Sequence, residues 1–137
     1  MASKSQIAVI LSKLKQFENP IAIEEQYPTD SEIAAEVLWN AFMSNEIEDK
    51  IIADLGCGTG ALGIGALLLG AKKVYFVEKD KKVIDILKEN LNDFDFENYE
   101  IINKDVIEFN ENVDLVLQNP PFGVQREHAD QVFLEKA

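Results

Sequence analysis

The sequence predicts an α/β fold, a mostly parallel sheet packed between helices in three layers, α/β/α. Three observations predict it. The first is Asp54-Leu55-Gly56-Cys57-Gly58-Thr59-Gly60, entered from apolar Ile51-Ile52-Ala53 and left through the apolar run Ala61 to Leu69. That is strand, glycine turn and helix, the opening unit of a Rossmann-like sheet. The second is the alternation of apolar strands with helical patterns from there on, which means a parallel sheet covered on both faces. The third is that Asp54, Glu78, Asp105 and Asn119 all fall at or just past strand ends, so one sheet edge collects them.

Residues 5 to 17 read as an amphipathic helix, with Ile7, Ile10, Leu11, Leu14 and Phe17 on one side and Asn19-Pro20 as its stop. Glu25-Gln26-Tyr27-Pro28-Thr29-Asp30 is turn-like. Thr29 is the expected cap of a second helix, with Glu32 completing a capping box. That helix carries Ile33, Val37, Leu38, Ala41 and Phe42 inward and runs to about residue 44; Trp39 and Phe42 are read as core.

The strands follow as Ile51 to Asp54, Val74 to Val77, Tyr99 to Ile102 and Val113 to Leu117. Helices are expected from Thr59 to Leu69, closed by Gly70, and from Asp80 to Leu91, with Val83, Ile84, Leu87 and Leu91 inward. A last helix is expected near His128 or Ala129. Right-handed crossovers set the second and third strands on one side of the first, and the fourth on the other. The crevice at that switch point is where such folds bind ligands.

The chain has 137 residues, 47% of them apolar, which fits a single domain with a real core. No apolar run approaches the ~20 residues of a membrane span. Its first residues lack the apolar core of a signal peptide, so the reading is a soluble, cytoplasmic protein. One cysteine excludes an internal disulfide, and with one histidine no usual structural zinc site is expected. The formal charge of −12, with Arg126 the single arginine, weighs against gripping nucleic acid unaided. The run Lys72, Lys73, Lys79, Lys81 and Lys82 is read as a solvated helix start and strand edge.

Gly56-x-Gly58-x-x-Ala61 with Glu78 after the second strand suits two cofactors, a nicotinamide dinucleotide or S-adenosylmethionine, because each has a ribose diol for a carboxylate to hold. Asp54 favours the methyl donor. A carboxylate at the strand tip repels a pyrophosphate but attracts an ammonium and a sulfonium. Asp105 can accept from the amino group of an adenine, or act as a turn cap.

Asn119-Pro120-Pro121-Phe122 is the sharpest signal. An aromatic amino group is a poor nucleophile, since its lone pair is delocalised. Two fixed acceptors, the Asn119 side-chain oxygen and the Pro120 carbonyl, would draw its N–H bonds toward tetrahedral geometry and free that lone pair. Pro120 and Pro121 stiffen the turn, and Phe122 offers a face for an unstacked base. Cys57 has no nearby base and reads as a small packed residue; His128 reads as surface.

With these residues placed, the chain resembles the archaeal relatives of methyltransferase-like protein five, the ribosomal RNA adenine N6-methyltransferase. The shared segments are Glu25-Gln26-Tyr27-Pro28-Thr29, Ala53-Asp54-Leu55-Gly56-Cys57-Gly58 and Asn119-Pro120-Pro121-Phe122-Gly123. The resemblance implies a class I methyltransferase fold and S-adenosylmethionine as cofactor. It implies Gln26 and Thr29 against the methionine end, Gly56, Gly58, Thr59 and Ala61 along the cofactor's path, Glu78 at the ribose, and Asp105 with Val106 at the adenine. Asn119 to Phe122 would take the target adenine of ribosomal RNA. A small zinc-binding activator protein is implied at the edge strand 99–102.

Two departures go with the resemblance. Glu78 stands where the family commonly has Asp. The fold is also expected to be incomplete at the C-terminus, four strands being read where the resemblance implies seven. Val113, Leu115, Val116 and Leu117 are then expected along an exposed edge, in a shortened chain or in a fragment that dimerises there. The competing functions are methylation of a protein glutamine amide or of DNA adenine, a non-catalytic cofactor-binding module, and a dinucleotide oxidoreductase. For the last, no residue resembles a hydride-transfer site.

Overall fold

The computed structural model describes residues 3–16, 30–118 and 125–128. Helix α1 spans Lys4–Ser12 and opens on a capping box: Ser3 Oγ accepts from the Gln6 N–H, and Gln6 Oε1 accepts from the Ser3 N–H. It ends well before residue 17. The backbone N–H and carbonyl of Lys15 are both taken by the side chain of Asn90, at 2.8 and 3.0 Å. A side chain that satisfies the backbone in this way competes with another helical turn. Asn19-Pro20 lies outside the described residues.

Helix α2 spans Ser31–Met43, and its cap is Asp30 rather than the expected Thr29. Asp30 Oδ1 accepts from the N–H groups of Glu32 and Ile33, at 2.9 and 3.1 Å. With the cap moved on by one residue, Ile33 holds the third helical position, so Glu32 cannot complete a capping box. Trp39 and Phe42 are half-buried against the core, their ring centroids 5.4 Å apart.

Strand β1 (Ile51–Leu55) leads to α3 (Ala61–Leu68), β2 (Lys73–Val77), α4 (Lys81–Asn92), β3 (Tyr99–Ile102), a 3₁₀ turn (Val106–Glu108), β4 (Leu115–Gln118) and β5 (Gln125–His128). The strand order is β3-β2-β1-β4-β5. The first four strands are parallel, and β1 lies between β2 and β4, as right-handed crossovers require.

The fifth strand corrects two expectations. Residues 125–128 are a strand antiparallel to β4, with Leu115 opposite His128 and Gln118 opposite Gln125, so no helix begins at His128. The edge of β4 is therefore paired rather than exposed. Leu115, Val116 and Leu117 are at most 1% exposed, and Val113 is half-buried. A dimer through an open strand 113–117 lacks the free edge it needs.

Alternation along the strands sorts their side chains to two faces. Ile52, Val74, Phe76, Leu115 and Leu117 join the main core, with Ile7 and Leu11 from α1, Ala34 and Leu38 from α2, Ile64 from α3, and Leu87 and Leu91 from α4. Ala53, Leu55, Val77 and Val116 face the other way and meet Phe109 and Val106. Among the described residues that second face is covered by the 106–109 segment and by no α-helix.

Helix α3 is buried on every side from Ala61 to Leu67, and it comes close to its neighbours through glycine. A Cβ on Gly63 would collide with the Phe76 ring, and one on Gly65 with Leu38. Among the described residues, no helix is long and apolar enough to cross a membrane.

Candidate functional site

The sheet aligns the ends of its parallel strands. Leu55 pairs in register with Val77 on one side and with Gln118 on the other, and Val77 pairs with Ile102. The residues that follow these four are Gly56, Glu78, Asn119 and Asn103. The glycine turn, the acid after the second strand and the Asn-Pro-Pro-Phe segment are thus launched from one row.

The glycine turn is left-handed at Gly56 (φ 64°) and Gly58 (φ 57°), a conformation that a side chain strains. Among the described residues a Cβ at either position would meet no atom within 4 Å, so there the turn borders space in which a ligand can approach the backbone. The turn is tied down from several directions. The Cys57 N–H donates to the Val77 carbonyl and the Gly60 N–H to the Cys57 carbonyl, each at 3.0 Å. Thr59 Oγ1 lies 3.2 Å from Gln16 Oε1.

Two carboxylates stand beside the turn, both buried. Glu78 Oε1 accepts from the Gly58 N–H and Oε2 from the Asp80 N–H, each at 3.0 Å. Among the described residues Glu78 forms no ion pair with the nearby Lys79 or Lys81. Asp54 Oδ2 accepts from the Gly63 N–H at 2.9 Å, so a strand residue caps the first turn of α3. Burial raises the Asp54 carboxyl from 3.8 to about 7, against the lowering effect of the Gly63 N–H; the Glu78 charge adds to the rise.

Among the described residues neither acid has a basic partner within salt-bridge distance. Two buried acids without a cation fit a ligand that brings positive charge, and they oppose a pyrophosphate. The same burial, with the charges of Asp54 and then Glu78, pushes the Cys57 thiol up, which suits a packed residue rather than a nucleophile.

Asp105 caps the 3₁₀ turn, its Oδ1 accepting from the Ile107 N–H at 3.2 Å, while Val106 packs against the second face of the sheet. Thr59 and Ala61 are buried at the junction of turn and helix. The structure thus brings together Asp54, Gly56, Gly58, Thr59, Ala61 and Glu78, and it sets Asp105 and Val106 just past the neighbouring strand β3. Gln26, Thr29 and Asn119 to Phe122 lie outside the described residues. Among those described, no group of three His, Cys, Asp or Glu residues is placed to hold a metal ion.

Sequence reasoning passes over two asparagines. Asn103 Nδ2 donates to the carbonyls of Glu78 and Lys79, each at 3.0 Å, and so holds the backbone that carries the acid. Asn90 is fully buried. Its side chain reaches both Lys15 backbone groups and donates to the Thr59 carbonyl at 2.9 Å. A signal for Asn90 does exist: it interrupts the inward stripe of Val83, Leu87 and Leu91, where a polar residue is out of place.

A mostly parallel sheet with a glycine turn and an acid after its second strand defines a Rossmann-like protein, and the second buried acid, Asp54, makes it one of the class I methyltransferase type. The family model of the methyltransferase small domain matches residues 29–137, and the chain belongs to that family.

Two relatives and one solved structure are informative. An uncharacterized protein of Methanocaldococcus jannaschii is 44% identical over all of this chain and 67% of its own length. The rRNA N(6)-adenosine-methyltransferase METTL5 of Danio rerio is 36% identical over 93% of this chain and 64% of its own length. A crystal structure from Pyrococcus horikoshii, described as a candidate RNA methyltransferase, superposes with a TM-score of 0.83 at 52% identity, covering all of this chain and 68% of that one. The chain thus spans about two thirds of the length of these three proteins.

Proposed function

We propose that the chain belongs to an enzyme that transfers a methyl group from S-adenosylmethionine to the N6 amino group of an adenine in ribosomal RNA. The observation that carries the cofactor is the pair of buried acids, Asp54 and Glu78, beside a glycine turn open to a ligand. Bound S-adenosylmethionine supplies a methyl group already activated on a sulfonium. The side chains then have to bind, orient and exclude water. Glu78 keeps its bonds to Gly58 and Asp80 and retains acceptor capacity for the two ribose hydroxyls. Asp54 would counter the ligand's positive charge. Asp105 and Val106 hold the adenine ring, and Gln26 and Thr29 the methionine end.

Asn119 and Pro120 are the acceptors for the target amino group. Their strand ends at Gln118, abreast of Leu55, so donor and acceptor segments leave neighbouring strands. Ribosomal RNA as substrate is supported by the name of the zebrafish relative, and RNA more broadly by the description of the Pyrococcus structure. A small zinc-binding activator protein at residues 99–102 is supported by the place of β3, which is the outermost strand among the described residues and so suits strand addition. Cytoplasmic location goes with a ribosomal substrate.

The test is transfer of a labelled methyl group to isolated ribosomal RNA and, separately, to ribosomal protein. The expected outcome is N6-methyladenine in the RNA, abolished by Asn119→Ala. The charge of −12 favours a protein acceptor as the second reading, and label in the protein fraction alone would establish it.

A further inference from the structure

We infer that Asn90 is a positioning residue for cofactor binding, because it locks the segment after α1 to the glycine turn; this rests on the cofactor reading above. Asn90 sits on α4, and of the residues assigned to the ligand its side chain bonds to Thr59, through that residue's backbone. Its Oδ1 accepts from the Lys15 N–H at 2.8 Å, and its Nδ2 donates to the Lys15 carbonyl at 3.0 Å and the Thr59 carbonyl at 2.9 Å. One amide group thereby joins three parts of the chain, with sequence separations of 75 and 31 residues.

Beside this bond Gln16 Oε1 meets Thr59 Oγ1 at 3.2 Å, so two consecutive residues of the segment are held at one residue of the turn. The Lys15–Glu89 ion pair, 3.4 Å long, is solvated on both sides and adds little.

Every polar atom of the Asn90 side chain is used, in a fully buried position. That makes the lock specific: aspartate would set an acceptor against two carbonyls, and leucine would leave all three backbone groups unpaired. The segment locked in this way leads on in sequence to Gln26 and Thr29. The turn it is locked to is fixed from its other side by Glu78 at the Gly58 N–H. Asn90 therefore sets where the segment carrying Gln26 and Thr29 starts, relative to the turn that lines the cofactor's path.

Asn98 is a control of the same chemistry at an exposed position. Its Nδ2 donates to the carbonyls of Ala71 and Lys72, at 2.8 and 3.3 Å, which staples backbone at the opposite end of the sheet. Asn90→Ala and Asn98→Ala each remove a backbone staple, but only the first touches the glycine turn.

The experiment is calorimetric titration of the 137-residue chain and both variants with S-adenosylmethionine, below the unfolding transition of each. Hydrogen exchange is read at the Lys15 and Gly60 amides. We expect Asn90→Ala to weaken binding about tenfold, the worth of roughly one or two hydrogen bonds, and to speed exchange at both amides. Asn98→Ala should leave affinity within about twofold of wild type and both amides protected. Equal losses of affinity in the two variants, or unchanged exchange at Gly60 in Asn90→Ala, would overturn the inference while the cofactor reading stands. A folded wild-type chain that binds no S-adenosylmethionine would overturn the cofactor reading, and the inference with it.

Discussion

The carboxylate of Glu78 holds the backbone N–H of Gly58 at 3.0 Å, across the gap between the second strand and the glycine turn. The acid proposed to hold the ribose is thus also a strut of the loop that faces the cofactor. A substitution there acts on both. Glu78→Gln keeps the length and one acceptor but loses the charge and places an amide N–H₂ near a backbone donor. The expected outcome is S-adenosylmethionine binding weakened ~10–100-fold, with ~1–3 kcal/mol lost in stability. Calorimetry and urea unfolding on the same preparation separate the two.

The Asp54 carboxyl, raised from 3.8 to about 7 chiefly by burial, makes a pH prediction. Between these values the folded chain holds a proton that the unfolded chain has released. Stability from this group is therefore greatest at low pH and falls as pH rises toward 7, by up to ~4 kcal/mol. The fall should be missing from Asp54→Asn, so the difference in urea midpoint between variant and wild type should widen from pH 4.5 to pH 8.

Binding runs the other way. A cationic ligand favours the carboxylate, so wild-type affinity should drop below pH 7, with proton release on binding. Titrations at pH 6 in buffers of different ionisation enthalpy measure that proton. Asp54→Asn should bind poorly at every pH.

How much of this was readable beforehand differs from element to element. The glycine turn and the first four strands stand out because apolar runs, glycines and strand-end acids coincide. Strand β5 does not, because Gln125-Arg126-Glu127-His128 has no apolar residue to alternate and is held by backbone pairing to β4. The Asp30 cap was hidden behind Thr29, an equally good capping type one residue earlier. Asn90 was visible only as a fault in an apolar stripe; its partners at Lys15 and Thr59 are brought to it by the tertiary fold.

Gly63→Ala tests the close packing of α3 on β2. The added methyl would meet the Phe76 ring, and Phe76 is fully buried, so neither side can yield cheaply. The expected cost is ~1–3 kcal/mol despite alanine's better helix propensity. A smaller residue, Phe76→Leu, in the same chain should recover at least ~0.5 kcal/mol of that cost, measured as a double-mutant cycle.

Cys57 should resist alkylation. Its thiol is buried, and burial with the Asp54 and Glu78 charges keeps it protonated. Iodoacetamide at pH 8 is expected to label it slowly in the native chain and fast in denaturant. Rapid native labelling would mean that the glycine turn opens readily.

The shared register of Leu55 and Gln118 has a consequence for which changes of length the chain can absorb. Neighbouring strands lie ~4.8 Å apart, so Leu55 and Gln118, the last strand residues before the glycine turn and before Asn119 in the chain, are held side by side by sheet pairing. Residues added between Asn103 and Asn112, in the connection before β4, need not shift that alignment. One residue added within 115–118 would exchange the two faces of the strand, turning Leu117 away from the main core and moving Gln118 out of step with Leu55. Such a chain would keep every residue assigned to the site and lose the alignment between them.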